Sequence, residues 1–252
     1  MDPTEEVMYT FESRIRYSET DSEGKLTMEA LLDYFQDCSI FHSEDLDIGI
    51  AYLAENHKIW VLSSWQIVVD RYPQLCERVT IGTYAYDFKG CFGYRNFFMK
   101  DEDGNYTARA NTLWTLLDTE HFKPTHPTEE MLQKYVLEEK LPMTYLGRKI
   151  AIPEGGRFEE DIIVRAQHLD TNHHVNNGQY VRMAMDVLPE DFSVTGLRAE
   201  YRRQALLHDV LRPYVVADGE GTEGERFVVS LQDHEGNVYV NVELEGKRVH
   251  CK

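Results

Sequence analysis

The stretch Asp170-Thr-Asn172-His173-His174-Val-Asn176-Asn177 lies between a strand-like run at residues 161–165 and a helix-like run that begins at Tyr180. Asp, Asn and His are common in turns and at helix N-caps. This stretch, however, holds more polar side chains than a turn requires. We therefore predict a strand, a polar loop with a chemical role, and a helix whose free N–H groups face that loop.

Every second residue of the loop is a candidate functional group. Asp170, Asn172 and His174 alternate along the chain, and alternate side chains of an extended segment project from one face. The pattern predicts that an acid, an amide and an imidazole lie together. His173 is predicted to point away from them.

The same order of elements occurs near the start of the chain. Residues 10–18 alternate as a strand, and Glu19-Thr-Asp-Ser-Glu-Gly24 forms a polar turn. Apolar residues at helical spacing follow from Leu31, with Thr27 as the predicted N-cap. Placing Asp170 on Asp21 aligns the two strand, turn and helix runs.

The repeat continues into the strands that follow each helix. The hairpin signal Asp101-Glu-Asp-Gly-Asn105 matches Asp233-His-Glu-Gly-Asn237. The same shift of numbering carries Arg71 onto Arg203. Because these matches keep one order, the sequence predicts two copies of one supersecondary unit.

A helix with one apolar stripe, followed by about four antiparallel strands, would be wrapped by its sheet, which is the layout of a hotdog fold. We therefore predict an α+β protein with a tandem (double) hotdog, each half a long helix wrapped by an antiparallel sheet. The predicted domains are an N-terminal hotdog at residues 1–145 and a C-terminal hotdog at residues 146–252. Residues 119–156, rich in Pro and Gly, are predicted to connect them.

Composition limits the classes of function. The chain has 252 residues, 42% hydrophobic and 28% charged, with a formal net charge of -18. This charge argues against nucleic acid, which is held by clustered Lys and Arg. No apolar run approaches the roughly 18 residues that cross a bilayer.

The first residues and the cysteines indicate a cytoplasmic protein. The start of the chain is acidic and poor in apolar residues, unlike a signal or transit peptide. The cysteines are Cys38, Cys76, Cys91 and Cys251, and their spacing predicts reduced thiols rather than a disulfide framework. A bacterial cytosolic enzyme fits these features best.

Several segments together resemble one known family, the acyl-[acyl carrier protein] thioesterases of plants (FatA and FatB type) and bacteria. In the first half they are Lys58-Ile-Trp-Val-Leu62, Val68-Val-Asp-Arg-Tyr-Pro73 and Ala108-Arg-Ala-Asn-Thr-Leu-Trp114. In the second half they are Leu169-Asp-Thr-Asn-His-His-Val-Asn-Asn177 with Tyr180, and Leu197-Arg-Ala-Glu-Tyr-Arg-Arg203. The segments cover nearly the whole chain in the family's order.

The resemblance implies a double hotdog that hydrolyses a fatty acyl-[acyl carrier protein] to a free fatty acid, without a cofactor or metal. In the family, Asp, Asn and His of the first string act with a Glu after the Arg-Arg pair, which implies Asp170, Asn172, His174 and position 204 here. This sequence departs from the family pattern, because Gln204 replaces the Glu and Ala205 replaces a Cys of plant members. A cysteine nucleophile therefore does not apply.

The resemblance also implies where substrate would bind. The family places its acyl tunnel in the first hotdog, so Phe35, Trp60 and Trp65 are candidate lining residues. Arg202 and Arg203 are candidates to meet the phosphopantetheine or the acidic helix of the carrier. Hotdog units usually pair, and tandem copies let one chain form the pair without a second subunit. A homodimer is nevertheless a possible state.

The residues themselves suit thioester hydrolysis. His174 can accept a proton from water near neutral pH, while Asp170 could orient its ring or take the proton itself. Asn172 could orient water or donate to the carbonyl. The backbone N–H groups near Asn176 to Gly178 could bind the oxyanion, and losing one such donor typically costs about 10²–10³ in rate.

Alternative functions stay open at this point. The loop from Glu19 partly matches a calcium loop but has Ala30 where a bidentate Glu is needed. A zinc site from the nearby histidines lacks the usual i, i+4 spacing. The protein could also hydrolyse acyl-CoA. Because Gln204 cannot accept a proton, a non-catalytic acyl-binding or regulatory protein is a further possibility.

Overall fold

A computed structural model describes residues 8–221 and 224–248. Its helices and strands follow one another in this order: β1 (Tyr9–Arg14), α1 (Met28–Asp45), α2 (Ile50–Glu55), β2 (Lys58–Val69), β3 (Arg78–Lys89), β4 (Phe92–Asp101), β5 (Tyr106–Asp118), β6 (Lys123–Pro124), α3 (Glu129–Lys134), β7 (Arg157–Phe158), β8 (Ile162–Ile163), α4 (Asn177–Met185), β9 (Phe192–Tyr201), β10 (Val210–Gly221), β11 (Gly224–Gln232) and β12 (Val238–Arg248). The described chain forms two compact units. The first runs up to Ser63 and includes Val69–Tyr145, and the second combines Ser64–Val68 with the chain from Leu146 onward.

The first unit wraps an antiparallel sheet around α1. Strand β1 pairs with β3, β3 with β4, and β4 with β5. The Thr27 hydroxyl accepts from the Ala30 N–H at 3.2 Å, which confirms the predicted N-cap of α1. One stripe of α1 is buried, and its Phe35 ring packs 5.5 Å from the ring of Phe97 on β4.

The second unit has the same layout with a shorter helix. Its strands are ordered β9, β12, β11, β10 and β7, all antiparallel, and residues 64–68 of β2 pair with residues 196–200 of β9. Helix α4 has nine residues, whereas α1 has 18. The second helix is thus shorter than the long helix predicted for each half, and Pro189 follows it closely.

Matching contacts confirm the internal repeat. The Arg71 guanidinium pairs with Asp101 at 2.9 Å, and the Arg203 guanidinium pairs with Asp233 at 2.8 Å. The Asp101 and Asp233 carboxylates each cap the turn of their own β-hairpin. The same side chains therefore close the same hairpin in both units.

The three cysteines that can be described are free thiols. Cys38 is buried, Cys76 is exposed and Cys91 is half-buried. Cys251, like the first seven residues of the chain, lies outside the described residues.

No helix in the described ranges has the length and apolar character needed to cross a membrane.

Candidate active site

The loop at residues 170–174 is a tight turn, so the prediction of an extended segment is wrong. The Asp170 N–H donates to the His174 carbonyl at 2.8 Å, and the His173 N–H donates to the Asp170 carbonyl at 3.1 Å. An isolated bridge between Leu169 and Val175 closes the base of the turn. The backbone that carries the candidate residues is therefore a chain reversal and not an extended strand.

The Asp170 carboxylate holds this turn together. Its Oδ1 accepts from the N–H of Asn172 at 2.8 Å and from the N–H of His174 at 3.2 Å. Such local side-chain to backbone bonds are typical of Asp in turns. Its position is thus fixed by the turn, with Asn172 and His174 attached to it through their backbones.

The remaining side chains of the turn face outward to different degrees. Asn172 and His173 are exposed, whereas His174 is half-buried. Within the described residues, the His174 ring has no hydrogen-bond partner. A half-buried imidazole with both ring nitrogens available suits proton transfer to or from a bound molecule.

His173 has an unusual backbone conformation. Its φ is 62°, in the left-handed region that non-glycine residues seldom occupy. The N–H of the residue donates across the turn, so the turn itself requires this conformation.

Gln204 lies next to the turn because of a backbone hydrogen bond. The Val175 N–H donates to the Ala205 carbonyl at 3.0 Å, so His174 and Gln204 are each one residue from this bond. Gln204 is exposed and Ala205 is fully buried. Sequence positions 30 residues apart are in this way joined in one part of the second unit.

The start of α4 offers fewer free donors than predicted. The Asn176 side chain caps the helix by accepting from the Gly178 N–H at 2.8 Å. The Gln179 N–H donates to the Asn176 carbonyl. The Asn176 N–H donates to the His168 carbonyl at 2.9 Å, so of the donors predicted at residues 176–178 only the Asn177 N–H lacks an acceptor among the described residues.

Two tyrosines, the buried Tyr180 and the half-buried Tyr201, fix the surroundings of the turn. The Tyr201 hydroxyl donates to the Asn177 carbonyl at 2.9 Å, and the Tyr180 hydroxyl accepts from the Ala205 N–H at 2.7 Å. Burial raises the pKa of both phenols, so both stay neutral. Their rings meet edge to face at 6.0 Å. No role for these hydroxyls was predicted from the sequence.

The two arginines after β9, Arg202 and Arg203, differ in the contacts that their side chains make. Arg203 pairs with Asp233 and lies over the Tyr239 ring, with 4.0 Å from its guanidinium carbon to the ring centroid. Arg202 is exposed and forms no ion pair within the described ranges. Arg202 is therefore the freer of the two to contact another molecule.

The predicted lining residues are divided between the units. Phe35 is fully buried in the first unit, and the half-buried Trp60 ring lies 6.2 Å from that of Phe88. Trp65, 1% exposed, belongs to the second unit.

The first unit also buries a charged group whose pairing was not predicted from the sequence. Arg95, 7% exposed, donates to the His42 Nδ1 at 2.8 Å and to the Thr83 hydroxyl at 3.2 Å. Burial, and next the charge of Arg95, lower the pKa of His42 to about 3, so His42 is neutral and can accept. Arg95 is a single charged residue in an apolar strand pattern, and this pattern does not indicate that it pairs with His42 on α1.

A cleft of about 790 Å³ opens in the second unit but excludes the predicted catalytic residues. Its walls include Glu159, Glu160, Asp186, Arg157 and Arg182. Because so many charged side chains line it, this cleft is unsuited to a fatty acyl chain.

One exposed group of residues has the chemistry of metal ligands. Ligand atoms of Asp118, Glu120 and His121 lie within 4.8 Å of one another. The Asp118 Oδ1 already accepts from the N–H groups of Glu120 and His121. This arrangement is accounted for by the turn that follows β5.

The described fold defines a protein of the tandem hotdog class. It superposes on an acyl-ACP thioesterase from Bacteroides thetaiotaomicron with a TM-score of 0.84 and 22% identity, covering 96% of this chain and 98% of that one. A 12:0-ACP thioesterase from Umbellularia californica gives a TM-score of 0.83 at 20% identity, covering 96% and 95%. The predicted fold class is confirmed.

Sequence comparison identifies the family. Residues 6–135 match the acyl-ACP thioesterase N-terminal domain, and residues 153–244 match the C-terminal domain. The chain therefore belongs to the acyl-ACP thioesterase family, as its motifs predicted.

Curated relatives are longer than this chain. A chloroplastic acyl-[acyl-carrier-protein] hydrolase of Cuphea viscosissima is 26% identical over 236 residues, which cover 87% of this chain and 56% of the relative. A chloroplastic dodecanoyl-[acyl-carrier-protein] hydrolase of Cinnamomum camphora is 23% identical, covering 88% and 63%. The chain thus spans less than two thirds of the length of these relatives.

Proposed function

We propose that this protein hydrolyses the thioester of a fatty acyl-[acyl carrier protein] and releases a free fatty acid, ending chain synthesis in the cytoplasm. The observation that carries the proposal is the turn at residues 170–174, tied by the Val175 to Ala205 hydrogen bond to the loop that bears Gln204. Membership of the acyl-ACP thioesterase family supports the choice of substrate.

In the proposed reaction, water attacks the carbonyl carbon of the thioester. A C–O bond forms, the C–S bond breaks, and the electron pair leaves with the pantetheine sulfur as a thiolate. His174 takes the proton of the water and can return it to the thiolate. Because a thiolate is a good leaving group, activating the water matters more than protonating the sulfur.

The other residues have supporting roles in this proposal. Asp170 holds the turn in shape, and Asn172 orients the water or donates to the carbonyl. The Asn177 N–H, near the positive end of α4, stabilises the developing oxyanion. Gln204 holds the water without accepting its proton.

Acyl binding and catalysis are proposed for different parts of the chain. We propose residues 1–145 as the acyl-binding domain, with Phe35 and Trp60 beside the acyl chain, and residues 146–252 as the domain that carries the catalytic motif. Trp65 is proposed as a further residue that contacts the acyl chain. Arg202 is proposed to contact the carrier or its phosphopantetheine, while Arg203 supports the hairpin through Asp233.

The direct test incubates the purified protein with acyl-[acyl carrier protein] substrates of several chain lengths and with matching acyl-CoA. Released fatty acid is measured by mass spectrometry, because the exposed Cys76 thiol would react with thiol reagents. We expect hydrolysis of carrier substrates at a higher kcat/KM than CoA substrates. No fatty acid from any substrate would refute the proposal.

Gln204 favours one alternative, a protein that binds acyl chains without hydrolysing them. The replacement Gln204→Glu, compared with the starting protein, distinguishes an enzyme that hydrolyses thioesters from a protein that only binds acyl chains. If the protein is an enzyme, it hydrolyses thioesters before the change, and Glu alters the rate and pH dependence of an existing activity. If the protein only binds, hydrolysis is absent and the acyl thioester is recovered intact.

A further inference from the structure

A buried hydrogen bond joins α4 to the loop that carries Gln204. The Ala205 N–H donates to the Tyr180 hydroxyl at 2.7 Å, with Tyr180 3% exposed and Ala205 0% exposed. A buried backbone N–H needs an acceptor, and here a side chain provides it. This side chain comes from the first turns of α4, 25 residues earlier in the sequence.

The first unit lacks both partners of this bond. There the Leu26 N–H donates to the Pro73 carbonyl at 2.8 Å, as the Val175 N–H donates to the Ala205 carbonyl in the second unit. Pro73 therefore corresponds to Ala205, and Leu31 corresponds to Tyr180 in the aligned helices. Proline has no N–H, so the buried leucine needs no hydroxyl.

The second unit therefore differs from the first by a matched pair of residues. It has a backbone N–H where the first unit has none, and a hydroxyl where the first has an apolar side chain. The difference falls at the residue that directly follows Gln204. An apolar pair would have sufficed for folding, as Leu31 and Pro73 demonstrate in the first unit.

A second tyrosine ties the same helix to β9. The Tyr201 hydroxyl donates to the Asn177 carbonyl, and its ring lies edge to face with Tyr180. Asn177 is the residue at the start of α4 whose N–H has no acceptor in the described part of the chain. Helix α4 is thus bonded to both ends of residues 201–205. The Tyr201 hydroxyl makes the bond at one end, and the Tyr180 hydroxyl makes the bond at Ala205.

We propose that Tyr180 is a positioning residue for thioester hydrolysis, which fixes the Ala205 backbone and so holds Gln204 beside the turn at residues 170–174. This inference rests on the proposed function. Tyr180 touches no reacting atom in this role. It acts by keeping the Gln204 amide, which is proposed to hold the water, in position relative to His174.

The test compares Tyr180→Phe with the starting protein in kcat, KM and amide exchange. Small displacements at an active site can cost about 10²-fold in rate, and we expect kcat to fall about tenfold or more while KM changes less than about twofold. The Ala205 amide should exchange faster with solvent in the variant. Tyr34→Phe, which removes a buried hydroxyl from α1, is the matched control and should leave kcat unchanged.

A double-mutant cycle with Ala205→Pro tests the route of the effect. Proline removes the N–H that Tyr180 accepts, and Pro73 demonstrates that this backbone position admits proline. If the hydroxyl acts through Ala205, Tyr180→Phe should change kcat by less than about twofold in the Ala205→Pro background. Additive effects on kcat would overturn the inference.

The outcomes distinguish this inference from the proposed function. An active protein whose kcat per folded molecule is unchanged by Tyr180→Phe overturns the positioning role alone. An unprotected Ala205 amide in the starting protein also overturns it, even if Ala205→Pro fails to fold. A starting protein without any hydrolysis overturns both.

Discussion

The turns at residues 21–25 and 170–174 have the same backbone. In the first, the Asp21 N–H donates to the Lys25 carbonyl, and in the second the Asp170 N–H donates to the His174 carbonyl, both at 2.8 Å. In each turn the Asp Oδ1 accepts from the N–H groups two and four residues later. The aspartate is therefore a structural element of both turns.

The side chains on this shared backbone differ. The first turn carries Glu23 and Lys25, which pair with each other at 2.6 Å, whereas the second carries Asn172 and His174 at the same positions. An exposed ion pair of this kind contributes little to stability. The scaffold is therefore present twice, whereas the proposed catalytic side chains are present only in the second turn.

The largest expected effect is the loss of the imidazole. His174→Ala should lower kcat by about 10²–10⁴, the range typical of a general base, with little change in the melting temperature. Lys25→Ala, at the matching position of the first turn, is the control. Steady-state hydrolysis of acyl-[acyl carrier protein] measures both variants, and equal losses would contradict the assignment of chemistry to the second turn.

The aspartates should behave alike in stability and differently in activity. Asp170→Ala and Asp21→Ala each remove an acceptor for two backbone N–H groups, so each should lower the free energy of unfolding by about 1–2 kcal/mol. Urea denaturation measures this change.

Only Asp170→Ala should also lower kcat, because the Asn172 and His174 backbones are attached to its carboxylate. If Asp21→Ala lowers kcat to the same extent, the first turn contributes to the reaction and the separation of scaffold from chemistry fails.

The third residue pair to compare is Gly24 and His173, which occupy the same left-handed position with φ of 74° and 62°. His173→Gly should raise the free energy of unfolding by up to about 1 kcal/mol, because glycine adopts this conformation without strain. Activity should stay within about twofold. A large loss of kcat would give His173 a direct role in the reaction.

The smallest effect concerns pH and the first unit. Because burial lowers the pKa of His42 from 6.5 to about 3, the unfolded chain binds a proton between these values that the folded chain does not. His42 therefore makes stability fall as pH falls from about 6.5 toward 3. His42→Gln, which keeps an acceptor for Arg95, should flatten the stability profile in this window.

Asp33 provides a comparison of opposite sign. Although Asp33 is exposed as a residue, partial desolvation of its carboxyl group, and next the neighbouring acids Glu29, Asp37 and Glu19, raise its pKa to about 6. The folded chain thus binds more protons between about pH 4 and 6, so this group makes stability fall as pH rises through that window. Asp33→Asn should remove that slope, whereas an unchanged urea profile for both variants would contradict these assignments.

The parts of the fold that were predicted correctly depend on local signals. The N-cap at Thr27 and the Asp-to-Asn turns of the two hairpins are each set by a few neighbouring residues. The internal repeat could be predicted because these signals recur in the same order in both halves of the chain. Helix α4 proved shorter than predicted, because apolar spacing alone does not mark where a short helix ends.

The geometry of the site was less accessible from the sequence. Alternation of Asp170, Asn172 and His174 suits a strand, but an Asp that accepts from the following N–H groups favours a turn. The long-range bonds of Tyr180 to Ala205 and of Arg95 to His42 join residues 25 and 53 positions apart. Nothing in the local pattern of either segment specifies such partners.

The most direct test of the account is a crystal structure with a non-hydrolysable acyl-pantetheine thioether bound. We predict that the carbon replacing the thioester carbonyl lies beside His174, Asn172 and the Asn177 N–H. A reacting group found at the Asp21 turn, or in the charged cleft next to Arg182, would contradict it.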